Sequence, residues 1–281
     1  MPRNNSKRTN SPTPEMPPVI ADPASANSIL NFVVPTEHVN LPSQGKFYPS
    51  DHPLHDCDTL EIKYISAREL DILTSKNLLQ KGIAVDRMLQ SLIMDDNIKV
   101  EELLIGDKNA LIIAARVGSF GADYNVALSC TSCGAEFSHE FNLSPSEVME
   151  IDDEENEDIS EDGTFFVNLP QTEVRVECRF LTAKDEKILE ERAAKKARLK
   201  LPDTSLTDQY KFFIVSLNGV TDRSVVDEFV DVMPAKDLHH LSRKYEKVRP
   251  DLDLIETCIC SECDAEIQVV VPFTATFFWP E

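Results

Sequence analysis

The stretch CTSCGAEF, residues 130–137, places two cysteines two residues apart and follows the second with a glycine. This spacing lets one tight turn offer two thiolates to a single metal ion, and Gly134 readily adopts the unusual backbone angles that such a turn requires. A structural zinc needs four ligands, and no second pair of cysteines follows until near the end of the chain. The stretch therefore predicts half of a metal site.

The other half is CSECDAEI, residues 260–267, which repeats both cysteines, the Ala-Glu pair and the apolar residue that follows. Asp264 replaces Gly134, and aspartate tolerates left-handed backbone angles better than most residues. We therefore predict that the cysteines of the two stretches bind one Zn²⁺ in a closed tetrahedral structural site. The predicted ligands are Cys130, Cys133, Cys260 and Cys263. Cys258 is an alternative to Cys260.

Other interpretations of the cysteines stay open at this point. A thioredoxin-like pair begins a helix, whose dipole lowers the thiol pKa, whereas each pair here precedes a strand-like stretch. His52, His55 and Cys57 form either a second metal cluster or a plain loop. The N-terminal residues have no apolar signal sequence, so we expect a reducing cytosol in which the seven cysteines form no disulfides.

The sequence around the two cysteine pairs also repeats. VNLP occurs at residues 39–42 and 167–170, and LEIKYISARELDIL (60–73) aligns without a gap on VECRFLTAKDEKIL (176–189). Each long stretch begins as a strand and passes through a Ser or Thr helix cap with an acidic residue three positions later. We predict an α+β fold of two duplicated halves, each with a strand, three or four helices and a zinc knuckle plus strand. A Cys₄ zinc-ribbon-like site would join the halves.

Composition sets the boundaries of these halves. Residues 1–30 are rich in Ser, Asn and Pro, which predicts a disordered or extended N-terminal arm. Residues 147–162 carry ten carboxylates and no positive charge, which is typical of a solvated acidic linker. The first half, with its knuckle, then spans residues 31–146, and the second half, with its knuckle, spans residues 163–281.

Apolar spacing predicts most of the helices. Residues 84–96 and 207–219 have helical periodicity, with Gly219 as the predicted end of the latter helix. Further helices are predicted at residues 106–121 and 234–248. The highly charged stretch at residues 184–200 predicts a solvent-exposed helix stabilised by many weak ion pairs.

The charge balance and the missing motifs exclude several classes of function. A net charge of −21 and a pI near 4.6 argue against binding to nucleic acid or to an anionic membrane. No apolar run approaches the length of a membrane span. Phosphate-binding glycine loops and the HExxH and GxSxG motifs are absent from the sequence, so we predict that the protein is not an enzyme.

Three stretches resemble a known family. They are LPSQGKFYP (41–49), SARELDIL (66–73) and LLIGDKNALIIAARVGSFGADYNVALSCTSCG (103–134). Together they resemble the baseplate hub proteins of T4-like contractile-tailed bacteriophages over roughly residues 35–190. The resemblance implies a structural component of the baseplate hub in the virion tail, made and assembled in the cytoplasm of the bacterial host. It implies no catalytic residues.

The resemblance also implies partners, namely other phage baseplate and tail proteins, with several copies in one assembly. Candidate docking elements are the arm, the insertion at residues 43–56, and the apolar tail at residues 273–280 with Phe277, Phe278 and Trp279 as anchors. Alternatively, the tail folds back onto its own core. Two other functions stay open: a tail-assembly chaperone absent from the mature virion, and a zinc-ribbon module that binds nucleic acid.

Overall fold

The fold is a mixed α+β arrangement of small antiparallel sheets and helices, as the sequence predicts. The computed structural model describes residues 35–144, 160, 163–273 and 277–278. They belong to one unit that begins at Pro35. The predicted arm (1–30) and almost all of the acidic linker (147–162) lie outside the described residues.

The first half consists of a two-stranded sheet, a set of helices and a hairpin. Its elements are β1 (Thr36–Asn40), β2 (Thr59–Lys63), α1 (Ala67–Thr74), α2 (Lys76–Gln80), α3 (Ala84–Leu92), a 3₁₀ turn (Val100–Glu102), α4 (Ile105–Phe120), β3 (Asp123–Ser129) and β4 (Glu136–Asn142). β1 pairs with β2 and β3 pairs with β4, both antiparallel.

The second half has nearly the same order of elements. They are β5 (Thr164–Asn168), β6 (Arg175–Arg179), α5 (Ala183–Arg198), α6 (Ser205–Phe213), β7 (Ile214–Leu217), α7 (Arg223–Val232), α8 (Ala235–Val248), β8 (Ile255–Ile259) and β9 (Glu266–Val270). Strands β5, β6 and β7 form one antiparallel sheet, and β8 pairs with β9. None of the helices in the described ranges is both long and apolar enough to cross a membrane.

The strand β7 corrects one predicted helix. The sequence predicts a helix through residues 207–219, whereas α6 ends at Phe213 and Ile214–Leu217 pair with β6. Adjacent β-branched residues, Ile214 and Val215, favour a strand, and β6 offers them an open edge. Gly219 lies in the turn after β7 with a φ of +82°, so it ends no helix.

Both predicted capping boxes are present and each includes a salt bridge. The Ser66 N–H donates to the Glu69 carboxylate (3.0 Å), and the Thr182 N–H donates to Asp185 (3.0 Å). The residue three positions before each cap supplies the cation. Lys63 Nζ lies 3.0 Å from Glu69, and Arg179 contacts Asp185 with two nitrogens, at 2.6 and 3.1 Å. Each box therefore ties the end of a strand to the start of the next helix.

Acid should weaken the first of these junctions. Burial raises the pKa of Glu69, but hydrogen bonds from Ser66 and Lys63 outweigh it and bring the pKa down from 4.5 to about 2. Because the pKa is lowered in the folded state, the stabilisation is present above pH 4.5 and is lost as the pH falls toward 2. We expect Glu69→Gln to lower the free energy of unfolding at pH 7 by about 2 kcal/mol. Chemical denaturation at pH 7 and pH 3 measures this, and an equal cost at both pH values would contradict it.

The two halves pack against each other through backbone and aromatic contacts. The Ala183 N–H donates to Leu103 O (2.8 Å) and the Ile105 N–H donates to Leu181 O (3.3 Å), which forms a short bridge between the halves. Phe47 packs edge-on against Phe180, with ring centroids 4.6 Å apart. One continuous apolar core therefore spans both halves.

Aromatic side chains in two of the predicted docking elements face this core instead of solvent. Within the insertion at residues 43–56, Phe47 and Tyr48 are buried. In the tail, Phe277 and Phe278 are also buried, and the Phe277 ring lies 5.0 Å from that of Tyr124. Burial of these rings removes apolar surface from water, which explains the inward orientation. The prediction that Phe277 and Phe278 are exposed anchors is therefore wrong, and Trp279 lies outside the described residues.

Candidate metal centre

Each cysteine pair lies at the tip of an antiparallel β-hairpin. Ser129 pairs with Glu136 across the first tip, and Ile259 pairs with Glu266 across the second. The predicted strand after each pair is confirmed, and a strand also precedes each pair. A hairpin tip is rigidly positioned by the ladder behind it, so both thiols of a pair have a fixed direction.

The two turns have the same backbone geometry. The N–H of the first cysteine donates to the alanine carbonyl five positions on, at 2.8 Å in the first turn and 3.0 Å in the second. The residue after the second cysteine has a positive φ, +76° at Gly134 and +53° at Asp264, as the sequence predicts. Backbone amides also point at sulfur, because the Ser132 and Glu262 N–H groups each donate to the first cysteine of their pair at 3.4 Å.

The four sulfur atoms form a compact cluster. Their positions all lie within 4.8 Å of one another. Cys130 Sγ lies 3.7 Å from Cys263 Sγ, and Cys133 Sγ lies 3.8 Å from Cys260 Sγ. A tetrahedron with Zn–S bonds of about 2.3 Å has S···S edges of about 3.8 Å. Disulfide sulfurs would instead lie about 2.05 Å apart, and all four cysteines are free thiols. The donor set and its spacing therefore fit a tetrahedral thiophilic metal.

The first cysteine of each pair is buried and the second is exposed. Cys130 and Cys260 are buried, whereas Cys133 and Cys263 are exposed. Backbone amides of Cys133 and Ser132 lower the pKa of Cys130 to about 6. The Ala265 amide lowers the pKa of Cys263, but hydrogen bonds with the neighbouring thiols raise it to about 12. Thiols this close compete for protons, and a cation among them would favour the thiolate form of all four.

Cys258 lies outside the cluster. Its side chain is buried, and its Sγ lies 4.0 Å from the carbonyl oxygen of Glu256. Cys258 and Cys260 are two residues apart and both are buried on one face of the hairpin. Cys258 lies within β8, opposite Ile267, whereas Cys260 lies just past the end of the strand, in the turn. The structure thus brings Cys260, rather than Cys258, together with the other three cysteines.

Contacts behind the cluster hold the two hairpins together. His139 on β4 lies 3.3 Å from the Glu256 carboxylate on β8, and the Tyr124 hydroxyl donates to Pro272 O at 2.9 Å.

A family model described as T4 bacteriophage base plate protein matches residues 35–279, a range that includes both hairpins.

The chain belongs to the T4 bacteriophage base plate protein family. The match begins at the first described residue and continues past the second hairpin, well beyond the stretches that carry the sequence resemblance. The comparison with curated proteins and the comparison with solved structures found no match.

A buried arginine supports the first hairpin of this base plate family member. The Arg116 side chain on α4 is only 1% exposed, and it donates to the carbonyl oxygens of Gly121 (2.6 Å) and Asp123 (2.9 Å). Gly121 directly follows α4, and Asp123 is the first residue of β3. Arg116 therefore fixes the direction in which the first hairpin leaves the helix.

Two buried carboxylates have matching positions that the sequence interpretation missed. Asp107 on α4 accepts hydrogen bonds from the Ser43 N–H (3.0 Å) and the Tyr48 hydroxyl (2.7 Å). Asp237 on α8 accepts from the N–H groups of Gln171 (2.7 Å) and Thr172 (2.9 Å). In an acidic chain, single carboxylates stand out little. The available signal was that each aspartate precedes its cysteine pair by the same number of residues, in a half that begins with a VNLP tetrapeptide.

The histidines of the insertion form no second metal cluster. Within residues 35–144, 160, 163–273 and 277–278, the four cysteines are the only group of three or more candidate ligands within reach of one ion. The His52 ring accepts from the Leu54 N–H (3.1 Å), and the His55 ring lies 2.7 Å from the Tyr48 carbonyl oxygen. These histidines stabilise the turns of the insertion.

Proposed function

We propose that this chain is a structural component of the tail baseplate, in the hub region, of a contractile-tailed bacteriophage. In this proposal a structural Zn²⁺ joins two duplicated halves. Membership of the base plate family carries the proposal. The hub assignment rests on the resemblance of residues 41–49, 66–73 and 103–134 to hub proteins.

The geometry of the cysteine cluster supports zinc as the metal. Four thiolates favour a soft or borderline cation such as Zn²⁺ over Mg²⁺ or Ca²⁺, which prefer oxygen ligands. A Cys₄ set fills every tetrahedral position and leaves no place for a reacting water or substrate, so the metal would stabilise the fold. Cys130 and Cys133 would supply two ligands from the first half, and Cys260 and Cys263 two from the second.

Matching hydrogen bonds support the duplication. Asp107 and Asp237 each occupy the third position of the helix before a knuckle, and each binds backbone N–H groups after VNLP. The two capping boxes, each with its strand-end cation, and the two knuckle turns add further pairs at equivalent places. Buried polar contacts depend on specific side chains, so their recurrence is a stronger sign of common origin than recurrence of helices.

The proposal implies that the protein acts by binding rather than by catalysis. Its partners would be other baseplate and tail proteins, with several copies in one assembly, built in the host cytoplasm and retained in the virion. The net charge of −21 suits protein partners better than nucleic acid.

Quantitative mass spectrometry of purified virions tests the proposed role. We expect several copies of the chain per particle, in proportion to the other baseplate proteins. Detached tails prepared without capsids should retain the same ratio, because a hub component leaves with the tail. Presence in infected cells together with absence from purified virions would refute the structural role and favour an assembly chaperone.

A further inference from the structure

The hairpin β8–β9 exposes an aliphatic surface on the side that faces away from the core. Ile255, Ile259 and Val270 have relative exposures of 59%, 62% and 60%. Ile255 and Val270 are directly opposite each other in the strand register, and Ile259 lies on the same face of β8. The opposite face of the hairpin carries the buried Cys258 and Ile267. The exposed pair Thr257 and Gln268 lies on the same face, between Ile259 and the Ile255–Val270 pair. The three exposed aliphatic side chains thus share one face of the hairpin, and we call them the aliphatic patch.

The first hairpin provides an internal comparison because its outward face is polar. Counted from the cysteine pairs, Asn125, Ser129 and Glu140 occupy the places of Ile255, Ile259 and Val270. All three are exposed. Neither the knuckle nor the hairpin therefore requires aliphatic residues at these positions. β-branched residues favour a strand, but the first hairpin forms without them at these positions. Their presence on the second hairpin therefore points to a binding role.

Charge around the aliphatic patch restricts what can bind it. Residues 250–273 contain six carboxylates and no lysine, arginine or histidine. Two of the six are paired with basic side chains from outside this range, Asp251 with Arg249 and Glu256 with His139, and the other four are exposed. Glu266 stands opposite Ile259, and Glu262 and Asp264 lie exposed at the tip next to it. A partner must therefore place apolar side chains on the patch and positive charge around it.

A second copy of the chain does not meet this requirement. Two such hairpins placed face to face would bring their carboxylates together, and like charges in contact oppose binding. The patch also exposes on the order of 300 Å², whereas stable dimers bury about 800 Å² on each partner. A polyanion such as nucleic acid is excluded by the same carboxylates.

We propose that the aliphatic patch of β8–β9 is a docking surface for another protein that presents aliphatic side chains flanked by lysine or arginine. Only the identification of that partner as a baseplate or tail protein rests on the proposed function. The limited area suits one contact among several in a larger assembly, where neighbouring contacts add to the affinity. The carboxylates of Glu262, Asp264 and Glu266 would select the partner and speed its association. The aliphatic residues would slow its dissociation.

Methyl NMR on the full chain, labelled at isoleucine and valine, tests this proposal with two synthetic peptides. One alternates valine with lysine, and the other alternates valine with glutamate. We expect the lysine peptide to shift the methyl signals of Ile255, Ile259 and Val270 and to bind at least tenfold more tightly than the glutamate peptide. Higher salt should reduce the difference. Equal binding of both peptides, or shifts that avoid these three residues, would overturn the proposal.

Residue exchange between the hairpins supplies the matched variants. The triple variant Ile255→Asn, Ile259→Ser and Val270→Glu gives the second hairpin the residues of the first, and we expect at least a tenfold loss of lysine-peptide binding. Because Val270→Glu adds negative charge, weaker charge attraction cannot explain that loss. The reverse variant, Asn125→Ile, Ser129→Ile and Glu140→Val, combined with Ser132→Glu and Gly134→Asp to transfer the acidic tip, should create a second site. Failure to gain binding there, with zinc content unchanged, would show that the aliphatic residues do not make the surface.

The same variants distinguish this proposal from self-association of the chain and from the proposed function. Sedimentation that depends on concentration in the parent chain and disappears in the Ile255→Asn, Ile259→Ser, Val270→Glu variant would identify a second copy as the occupant and overturn the choice of a basic partner. The peptide result does not depend on whether the chain stays in the virion. A failed virion experiment would therefore remove the proposed function without removing the surface.

Discussion

Replacing Cys260 by serine is expected to abolish zinc binding and to lower the free energy of unfolding by several kcal/mol, on the order of 5. The sulfur of Cys260 lies 3.8 Å from that of Cys133 and belongs to the buried side of the cluster. Its loss would leave three ligands for the metal, and the two hairpins would be joined only by the protein contacts behind the cluster. Zinc peptides gain roughly 10–16 kcal/mol from their metal, but this protein also has its own core, so we expect a smaller loss.

Elemental analysis and chemical denaturation measure the two effects. The parent chain should contain about one zinc per molecule, and a chelator should lower its unfolding midpoint to that of Cys260→Ser. Cys258→Ala is the matched control, because this buried thiol lies two residues away and outside the cluster. It should retain zinc and cost only about 1–2 kcal/mol of packing. A parent chain that is metal-free and insensitive to chelators would refute the metal centre.

The second large effect is expected at Gly106, where α4 begins against the second half. A β-carbon at this position would lie 2.0 Å from the carbonyl oxygen of Pro250 and 2.9 Å from the Cα of Asp251. Both contacts are with backbone, which cannot rotate away as a side chain can. We expect Gly106→Ala to destabilise the protein by about 3 kcal/mol or more. In an unobstructed helix the same change would stabilise by up to about 1 kcal/mol, so even the sign is informative.

Position 236 provides the control for this prediction. Lys236 is the second residue of α8, as Gly106 is of α4, and it is exposed. Lys236→Ala should change the free energy of unfolding by no more than about 0.5 kcal/mol. Denaturation in urea compares the two variants directly. A Gly106→Ala variant as stable as the parent chain would mean that α4 and residues 250–251 do not approach this closely.

The four-cysteine cluster was predictable because its signal is local and occurs twice. A CxxC turn needs only its two cysteines and one residue that tolerates positive φ, and Gly134 and Asp264 both have that conformation. The helix caps at Ser66 and Thr182 were predictable for the same reason, since a capping box is complete within four residues. The sequence therefore predicted correctly the features that are determined by a few consecutive residues.

Features that depend on contacts between residues far apart in the sequence could not be predicted in this way. Apolar periodicity alone could not tell the strand Ile214–Leu217 from a continued helix, because the deciding partner is the open edge of β6. Phe277 was predicted to be a surface anchor, but it packs against Tyr124, which lies far from it in the sequence. The outward direction of Ile255 likewise follows from the strand register, which the sequence does not specify.

The distance between the two cysteine pairs has a consequence for the order of events during synthesis. The sulfurs that meet in the cluster come from residues 127 and 133 positions apart. When the first pair leaves the ribosome it can offer only two thiolates, and a two-thiolate half-site holds zinc far more weakly than four do. Closing so long a loop costs entropy that folding of both halves must supply first. Metal capture would thus be the last step of maturation, and zinc content would report how many chains in a preparation have completed it.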